Sequence, residues 1–450
     1  MDFNQIHKIF FLGAGGIGMS ALARYFNKQG KEIFGYDLTA TPLTNQLIAE
    51  GVTIQFDENI NTLPEAIDLV IYTPAIPTDN QLYSFYLNSN TPILKRSEVL
   101  GLLSENLFTI AIAGTHGKTS ISAITAHILK SSGLQITALI GGICKNYDSN
   151  TILSENSEYM LLEADEFDKS FLTLKPDIAV ISSMDADHLD IYNNKENLVN
   201  SFKEFANQIK PQGTLICNSK LKPEFTSQSN TIYYGINSDT DIIAENIRIE
   251  NGQFVFDFAT TKIRIDHIKL TVPDIHYIEN TLAAAAIAYE LGLNCEQIKQ
   301  GIESFIGITR RFETRYSGNV VYIDDYAHHP EEIKVTIDAV RMLYPNKRIT
   351  GAFQPHLYSR TQDFADDFAT VLSQLDEVIL LDIYPAREEP IPGVSSEMIL
   401  EKIENQNKRL LSKTELLKYF ETIHNGVILT LGAGDIGLLA DEIENELNAR

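Results

Sequence analysis

Cysteine is scarce. Cys144, Cys217 and Cys295 stand far apart with no CxxC pair, so neither a disulfide framework nor a structural zinc site is encoded. The three thiols read as small buried hydrophobes in a reducing compartment. Positive charge is also in short supply: 36 Lys and Arg face 60 Asp and Glu, a formal net charge of −24. That balance argues against non-specific binding to nucleic acid or to an anionic membrane, both of which need a basic surface. An anionic ligand would require positive charge gathered locally. Long apolar runs are missing as well, and none approaches the ~18 residues of a membrane span. Lys8 followed by Ile9-Phe10-Phe11-Leu12 could pass for a signal peptide, but four glycines fall within residues 13–18 and suit a turn instead. A cytoplasmic protein is expected.

What is present is a soluble globular composition, 44% apolar and 21% charged over 450 residues, enough for about three cores. Three strand-glycine-helix units punctuate it. The first is the strand Lys8–Leu12, the turn Gly13-Ala14-Gly15-Gly16-Ile17-Gly18 and a helical stretch. A second strand, Glu32–Tyr36, ends at Asp37, about where a Rossmann unit places its ribose-binding acid. The second unit runs from strand Phe108–Ala113 through Gly114-Thr115-His116-Gly117-Lys118-Thr119 into a helix at Ser120. The third is the strand 427–431, the turn 432–437 and an acidic closing helix. Strands alternate with helices between them, an α/β pattern. The segment from about 230 to 272 alternates apolar and polar residues and suggests a short antiparallel insert. Boundaries near 105 and 312 give domains at 1–104, 105–311 and 312–450: a Rossmann-like domain, a P-loop-type ATPase domain with a mostly parallel sheet, and a second Rossmann-like α/β domain.

The loop at 114–119 is a shortened P-loop, GxxGKT. Its backbone N–H groups and the helix dipole face phosphate, Lys118 reaches the β and γ oxygens, and the Thr119 hydroxyl can ligate Mg²⁺. Downstream, Glu163-Ala164-Asp165-Glu166-Phe167-Asp168 leaves a strand end; it is either a solvated acidic loop or a source of Mg²⁺ ligand. His188, in Asp185-Ala186-Asp187-His188, is either structural or the ligand of a second Mg²⁺ flanking a transferring phosphoryl group. Adjacent His328 and His329 point in different directions, which favours substrate contacts over one metal. Arg360, in Gln354-Pro355-His356-Leu357-Tyr358-Ser359-Arg360, is placed to pair bidentately with a carboxylate, or else forms a surface salt bridge.

Taken in order, Gly15-Gly16-Ile17-Gly18-Met19-Ser20, the GxxGKT loop, Glu163-Ala164-Asp165-Glu166, Asp185-Ala186-Asp187-His188-Leu189, Arg310-Arg311-Phe312, Asp324-Asp325-Tyr326-Ala327-His328-His329-Pro330, Gln354-Pro355-His356 and Tyr384-Pro385-Ala386 resemble the Mur ligases over essentially the whole chain. Within the family they are most similar to the branch that uses ATP to join L-alanine to UDP-N-acetylmuramate in peptidoglycan synthesis. The resemblance implies three domains closing over a shared cleft. It implies that Gly15, Gly16, Gly18, Met19, Ser20, Asp37 and Arg96 hold the UDP-sugar. Gly114, Thr115, His116, Gly117, Lys118, Thr119, Ser120, Asn280, Arg311 and Asp325 would contact ATP, and Tyr326, His328, His356 and Arg360 would line the alanine site. Thr119 and Glu163 would bind one Mg²⁺ and His188 the other; Lys118, Glu163, His188 and Arg360 are the implied catalytic set. A monomer or homodimer is expected, acting on small molecules.

Two positions depart from the family pattern. Tyr277 stands where an asparagine follows the family's histidine, and Leu357 where an arginine often follows the histidine of QPH, which leaves Arg360 to hold the amino-acid carboxylate. The rival readings are a recycling ligase that joins a tripeptide to the same UDP-sugar, an NAD-dependent dehydrogenase, and a non-catalytic nucleotide sensor. The dehydrogenase leaves Gly114 to Thr119 unexplained.

Overall fold

The computed structural model describes residues 1–185, 189–226, 230–236, 240–272, 275–386 and 388–450. They build three mostly parallel sheets of five, ten and six strands, the expected α/β class. Among the described residues, no helix is long and apolar enough to cross a membrane. The chain divides into two compact units. One comprises Met1–Ile247, Val255–Lys269 and Ile278–Ile306; the other comprises Arg248–Phe254, Leu270–Tyr277 and Gly307–Arg450.

The five-stranded sheet of the first unit runs, in space, Thr53–Gln55, Glu32–Tyr36, Lys8–Leu12, Leu69–Tyr72 and Ile93–Lys95. Every pairing is parallel. Ile9, Phe11 and Leu12 are wholly buried, as befits a strand covered on both faces. The order is that of a dinucleotide-binding sheet, whose ligands lie beyond the carboxyl ends of the strands. The glycine turn, Asp37 and Arg96 all follow such ends.

In the ten-stranded sheet, Ile178–Ile181, Phe108–Ala113 and Tyr159–Glu163 are parallel neighbours. The segments that leave their carboxyl ends, 182–185, 114–119 and 164–168, are therefore gathered at one rim. The expected antiparallel insert is only partly found. Thr231–Ile236 pairs parallel with Thr214–Asn218 and with Ile242–Glu250, while Gln253–Thr260 and Arg264–Lys269 are antiparallel. Alternation of apolar and polar residues reports that one face is buried and carries no information about strand direction.

Helix Lys118–Ser131 turns Ile121, Ala123, Ile124 and Ile128 into the core. His127, 6% exposed, pins it there: Nδ1 meets the Tyr147 hydroxyl and Nε2 the Ser304 Oγ, both at 2.9 Å. Ser304 donates its own proton to the Gln300 carbonyl at 2.6 Å, so Nε2 carries the hydrogen and Nδ1 accepts from Tyr147. Burial pushes the His127 pKa down to about 4. Between pH 6.5 and about 4 the unfolded chain therefore binds a proton here that the folded chain refuses. Stability is full above pH 6.5 and declines as pH falls, by about 1.4 kcal/mol per pH unit for this group. Urea unfolding at pH 7 and pH 5 should show this decline, and His127→Gln should remove its share of the slope; an unchanged slope would refute the assignment.

The second unit contains a six-stranded sheet in which Val320–Asp325, Gly426–Leu431, Ile349–Phe353 and Glu377–Leu380 are successive parallel neighbours. Residues 326–330, 432–437, 354–360 and 381–386 leave four adjacent carboxyl ends. Motifs separated by up to about a hundred residues in sequence thus meet along one rim.

Candidate active site

The phosphate loop is shaped by its neighbours. Gly114 and Gly117 have φ of 137° and 83°, values open to glycine at little cost. A Cβ on Gly117 would also lie 2.6 Å from Asn280 Oδ1, which places Asn280 against the loop. Ser183 Oγ accepts from the His116 amide at 2.8 Å and lies 2.9 Å from Thr115 Oγ1. The Asp185 amide donates to Thr115 Oγ1 at 3.1 Å.

Lys118 begins the helix. Its Nζ donates to the Gly114 carbonyl at 2.6 Å and to both oxygens of Glu166 at 2.8 and 2.7 Å. Glu166 is 1% exposed, and its own carbonyl accepts from the Tyr192 hydroxyl at 2.6 Å. Burial alone would depress the Lys118 pKa, but Glu166, Asp165 and Glu163 outweigh it and hold the ammonium above its ordinary value. A permanent cation is thereby kept at the loop. Thr119 Oγ1 donates to Glu163 Oε2 at 3.2 Å, and Glu163 Oε1 accepts from the Gly141 amide at 2.6 Å. A hydroxyl and a carboxylate this close form an oxygen pair of the kind Mg²⁺ takes when phosphates and waters complete its shell. Among the described residues, no three His, Cys, Asp or Glu side chains gather as a metal cluster; His188 and Asp187 lie outside the described residues.

At the first glycine turn, the Gly15 amide donates to Asp37 Oδ2 at 2.7 Å. The Arg96 guanidinium lies over Gly18, 2.7 Å from where a Cβ would stand. Met19 and Ser20 follow the turn on helix Ile17–Lys28. Ser20 is 0% and Met19 2% exposed, and the Ser20 hydroxyl donates to the Ile17 carbonyl at 2.9 Å. Helical periodicity turns both side chains toward the core, so what these two positions present at the turn is backbone.

In the second unit, Arg310 and Arg311 do different work. Arg310 pairs with Asp324 at 3.0 Å and donates to the carbonyls of Gly432 at 2.5 Å and Gly434 at 3.4 Å. The third glycine turn is thus filled by a guanidinium that its carbonyls hold. Among the described residues, no hydrogen bond or ion pair engages the Arg311 guanidinium, which lies 5.3 Å from the Tyr326 ring centroid. Asp325 accepts from the amides of Phe312 at 2.6 Å and Ala327 at 2.7 Å. Burial pushes its pKa up to about 6, against Arg311 and those two amides.

His328, His356 and Tyr384 form an aromatic cluster: the two imidazoles meet edge-on at 5.9 Å, and His356 stacks on Tyr384 at 5.8 Å. Burial lowers the pKa of His328, and burial together with His328 and Arg360 pushes that of His356 down to about 4. Both rings are therefore neutral at pH 7. His356 Nδ1 is buried with no hydrogen-bond partner among the described residues, a polar atom of the kind that is normally satisfied. No carboxylate among the described residues pairs with Arg360. Its short helix, Tyr358–Asp363, begins beside Leu357, whose φ of 73° is costly for a branched side chain. Glu388 caps that helix, accepting from the Ser359 amide at 2.9 Å and its hydroxyl at 2.5 Å.

Sequence reasoning did not assign Ser183, Glu166, Gly141 or Glu388. Glu166 lies within the acidic segment after Glu163 and Ser183 just before Asp185, but their partners lie 48 and 67 residues away.

Three family profiles match the chain: "Mur ligase family, catalytic domain" over 8–107, "Mur ligase middle domain" over 112–288 and "Mur ligase, glutamate ligase domain" over 310–440. A UDP-N-acetylmuramate–L-alanine ligase from Flavobacterium psychrophilum is 47% identical over 455 residues and spans 100% of both chains. One from Cytophaga hutchinsonii is 41% identical over 97% of this chain and 96% of its own. Among solved structures, the UDP-N-acetylmuramate-alanine ligase of Thermotoga maritima superposes with a TM-score of 0.83 at 26% identity, covering 98% of this chain and 99% of that one. A murein peptide ligase from Psychrobacter arcticus shares the fold with a TM-score of 0.71 at 23% identity, with 99% of each chain covered.

Proposed function

The chain belongs to the Mur ligase family, and we propose that it joins L-alanine to the lactoyl carboxylate of UDP-N-acetylmuramate, cleaving ATP to ADP and phosphate. The observation that carries this reading is full-length identity of 41–47% to ligases of that name, in a chain whose phosphate loop keeps Lys118 and Thr119 beside Glu163. The identity favours L-alanine over the recycling reading.

The carboxylate oxygen attacks the γ-phosphorus, the bond to the β-bridging oxygen breaks, and ADP leaves an acyl phosphate. The alanine amine attacks the acyl carbon, phosphate departs with the electron pair, and the nitrogen loses its proton as the amide forms. Lys118 stabilises charge on the transferred group, and the loop amides orient it. Thr119 and Glu163 would hold Mg²⁺, which supplies charge neutralisation on the β and γ oxygens; His188 is proposed for a second ion. Gly114 to Ser120, Asn280, Arg311 and Asp325 are assigned to ATP. Gly15, Gly16, Gly18, Asp37 and Arg96, with the backbone of Met19 and Ser20, are assigned to the UDP-sugar, and Tyr326, His328, His356 and Arg360 to alanine. Residues 1–104, 105–311 and 312–450 are the proposed domains for UDP-sugar, ATP and amino acid. The reaction belongs in the cytoplasm, where UDP-sugar and ATP are available, on a monomer or homodimer.

The deciding experiment measures phosphate release from ATP, Mg²⁺ and UDP-N-acetylmuramate, scanned over L-alanine, glycine, L-serine and the tripeptide. L-Alanine should support turnover; activity with the tripeptide alone would sink the proposal. Arg360→Ala should raise the KM for alanine at least about tenfold with a smaller effect on kcat, since a charge-assisted carboxylate pair contributes about 1.5–3 kcal/mol. An unchanged KM would move the carboxylate site elsewhere.

A further inference from the structure

The strands Ile136–Cys144 and Ser149–Leu153 form an antiparallel hairpin that reaches both substrate regions of the first unit. Asn150, on the second strand, is 0% exposed. Its side-chain nitrogen donates to the Ile17 carbonyl at 2.7 Å and to Ser20 Oγ at 3.0 Å, and its oxygen accepts from Arg24. All three partners lie on helix Ile17–Lys28, two of them in its opening turn, directly after the glycine turn. Arg24, itself 7% exposed, is anchored in turn by Glu50 at 2.7 Å. Three of the four hydrogen bonds that the Asn150 side chain can make are thus directed at the helix that presents the glycine turn.

The other strand of the hairpin faces the phosphate loop. The Gly141 amide donates to Glu163 Oε1 at 2.6 Å, and a Cβ at 141 would stand 2.9 Å from the carboxylate carbon. Leu139 lies opposite Thr151 and Cys144 opposite Ser149, so Gly141 and Asn150 occupy the same stretch of ladder, where the register shifts. Glu163 accepts from Thr119 at its other oxygen. Short contacts therefore join Ile17 and Ser20 to Asn150 and Gly141 to Glu163 and on to Thr119, and the bulged ladder of the hairpin spans the step between Asn150 and Gly141.

We propose that Asn150 is a positioning residue that couples the UDP-sugar site to the ATP site, so that each substrate strengthens binding of the other. The inference rests on the assignment of the UDP-sugar to the glycine turn. A diphosphate on that turn fixes the opening turn of the helix. Through the buried amide it fixes the bulged ladder that aims Glu163 at Thr119. Coupling of this kind is reciprocal, and an effect of about 5-fold or more is typical.

The test measures the Kd of a non-hydrolysable ATP analogue with Mg²⁺, with and without saturating UDP-N-acetylmuramate, by titration calorimetry on the full chain. In the unaltered protein the UDP-sugar should tighten the analogue about 5-fold or more. In Asn150→Ala the ratio should fall to within about twofold of one, with the analogue alone still binding. A merely structural role would weaken both sites and leave the ratio unmoved. A ratio of one in the unaltered protein, or an undiminished ratio in Asn150→Ala, overturns the proposal. If Asn150→Ala does not fold, Ser20→Ala removes one acceptor and should lower the ratio; an unchanged ratio there overturns it equally. If the unaltered protein binds the analogue but no UDP-sugar at all, the substrate assignment fails first and this inference with it.

Discussion

Lys118→Ala is expected to cut turnover at least about a thousandfold, because charge stabilisation on a transferring phosphoryl group is the largest contribution a side chain can make to this chemistry. The ammonium is held at the loop by the Gly114 carbonyl and Glu166. The substitution has a second consequence. Glu166 is almost fully buried, and removing one member of a buried pair costs about 3–5 kcal/mol by leaving the other uncompensated. Lost activity in Lys118→Ala alone could therefore reflect lost fold. The double variant Lys118→Ala with Glu166→Gln separates the two effects, since it relieves the orphaned charge without restoring a cation. Its melting temperature should recover toward that of the unaltered protein while phosphate release stays at the level of the single variant. Turnover within about tenfold of normal in either variant would remove Lys118 from the phosphoryl-transfer step.

That Glu166 neutralises Lys118 was not legible in the sequence, whereas the loop itself was. The loop is a local feature: an apolar strand, two glycines at fixed offsets and an amphipathic helix all lie within residues 108–131. The parallel sheets were legible for the same reason, from continuous apolar runs such as Ile178–Ile181. What escaped were facts decided by distant partners. Thr231–Ile236 alternates in polarity yet pairs parallel, because direction depends on the connection and not on the pattern. Ser20 reads as a ligand contact beside three glycines; that its hydroxyl also meets Ile17 and Asn150 depends in part on a partner 130 residues away. Leu357 looks like a simple loss of charge in the QPH segment, yet its positive φ and the cap from Glu388 set how Arg360 leaves the chain. Neither the cap nor the backbone angle has a local signature.

The adjacent arginines should respond in opposite ways, and the contrast tests the division of labour at 310–312. Arg310→Ala removes the partner of Asp324, which is 0% exposed, and also vacates two glycine carbonyls. Burial already pushes the Asp324 pKa upward, with Arg310 as the leading counterweight. The variant should therefore lose about 3–5 kcal/mol from the unit that contains it, seen in calorimetry as a large drop in that unit's transition. Asp324→Asn in the Arg310→Ala background should return much of the loss, because a neutral amide costs less to bury than an unpaired charge. Arg311→Ala should leave that transition nearly unmoved and instead raise the KM for ATP. Its guanidinium makes no ion pair among the described residues, while the pull of Glu332 and Asp325 outweighs burial and holds its pKa above the ordinary value. A folded, fully active Arg311→Ala would detach it from ATP. An Arg310→Ala protein as stable as the original would mean that Asp324 is compensated by Thr430, which donates to it at 2.7 Å, without need of the guanidinium.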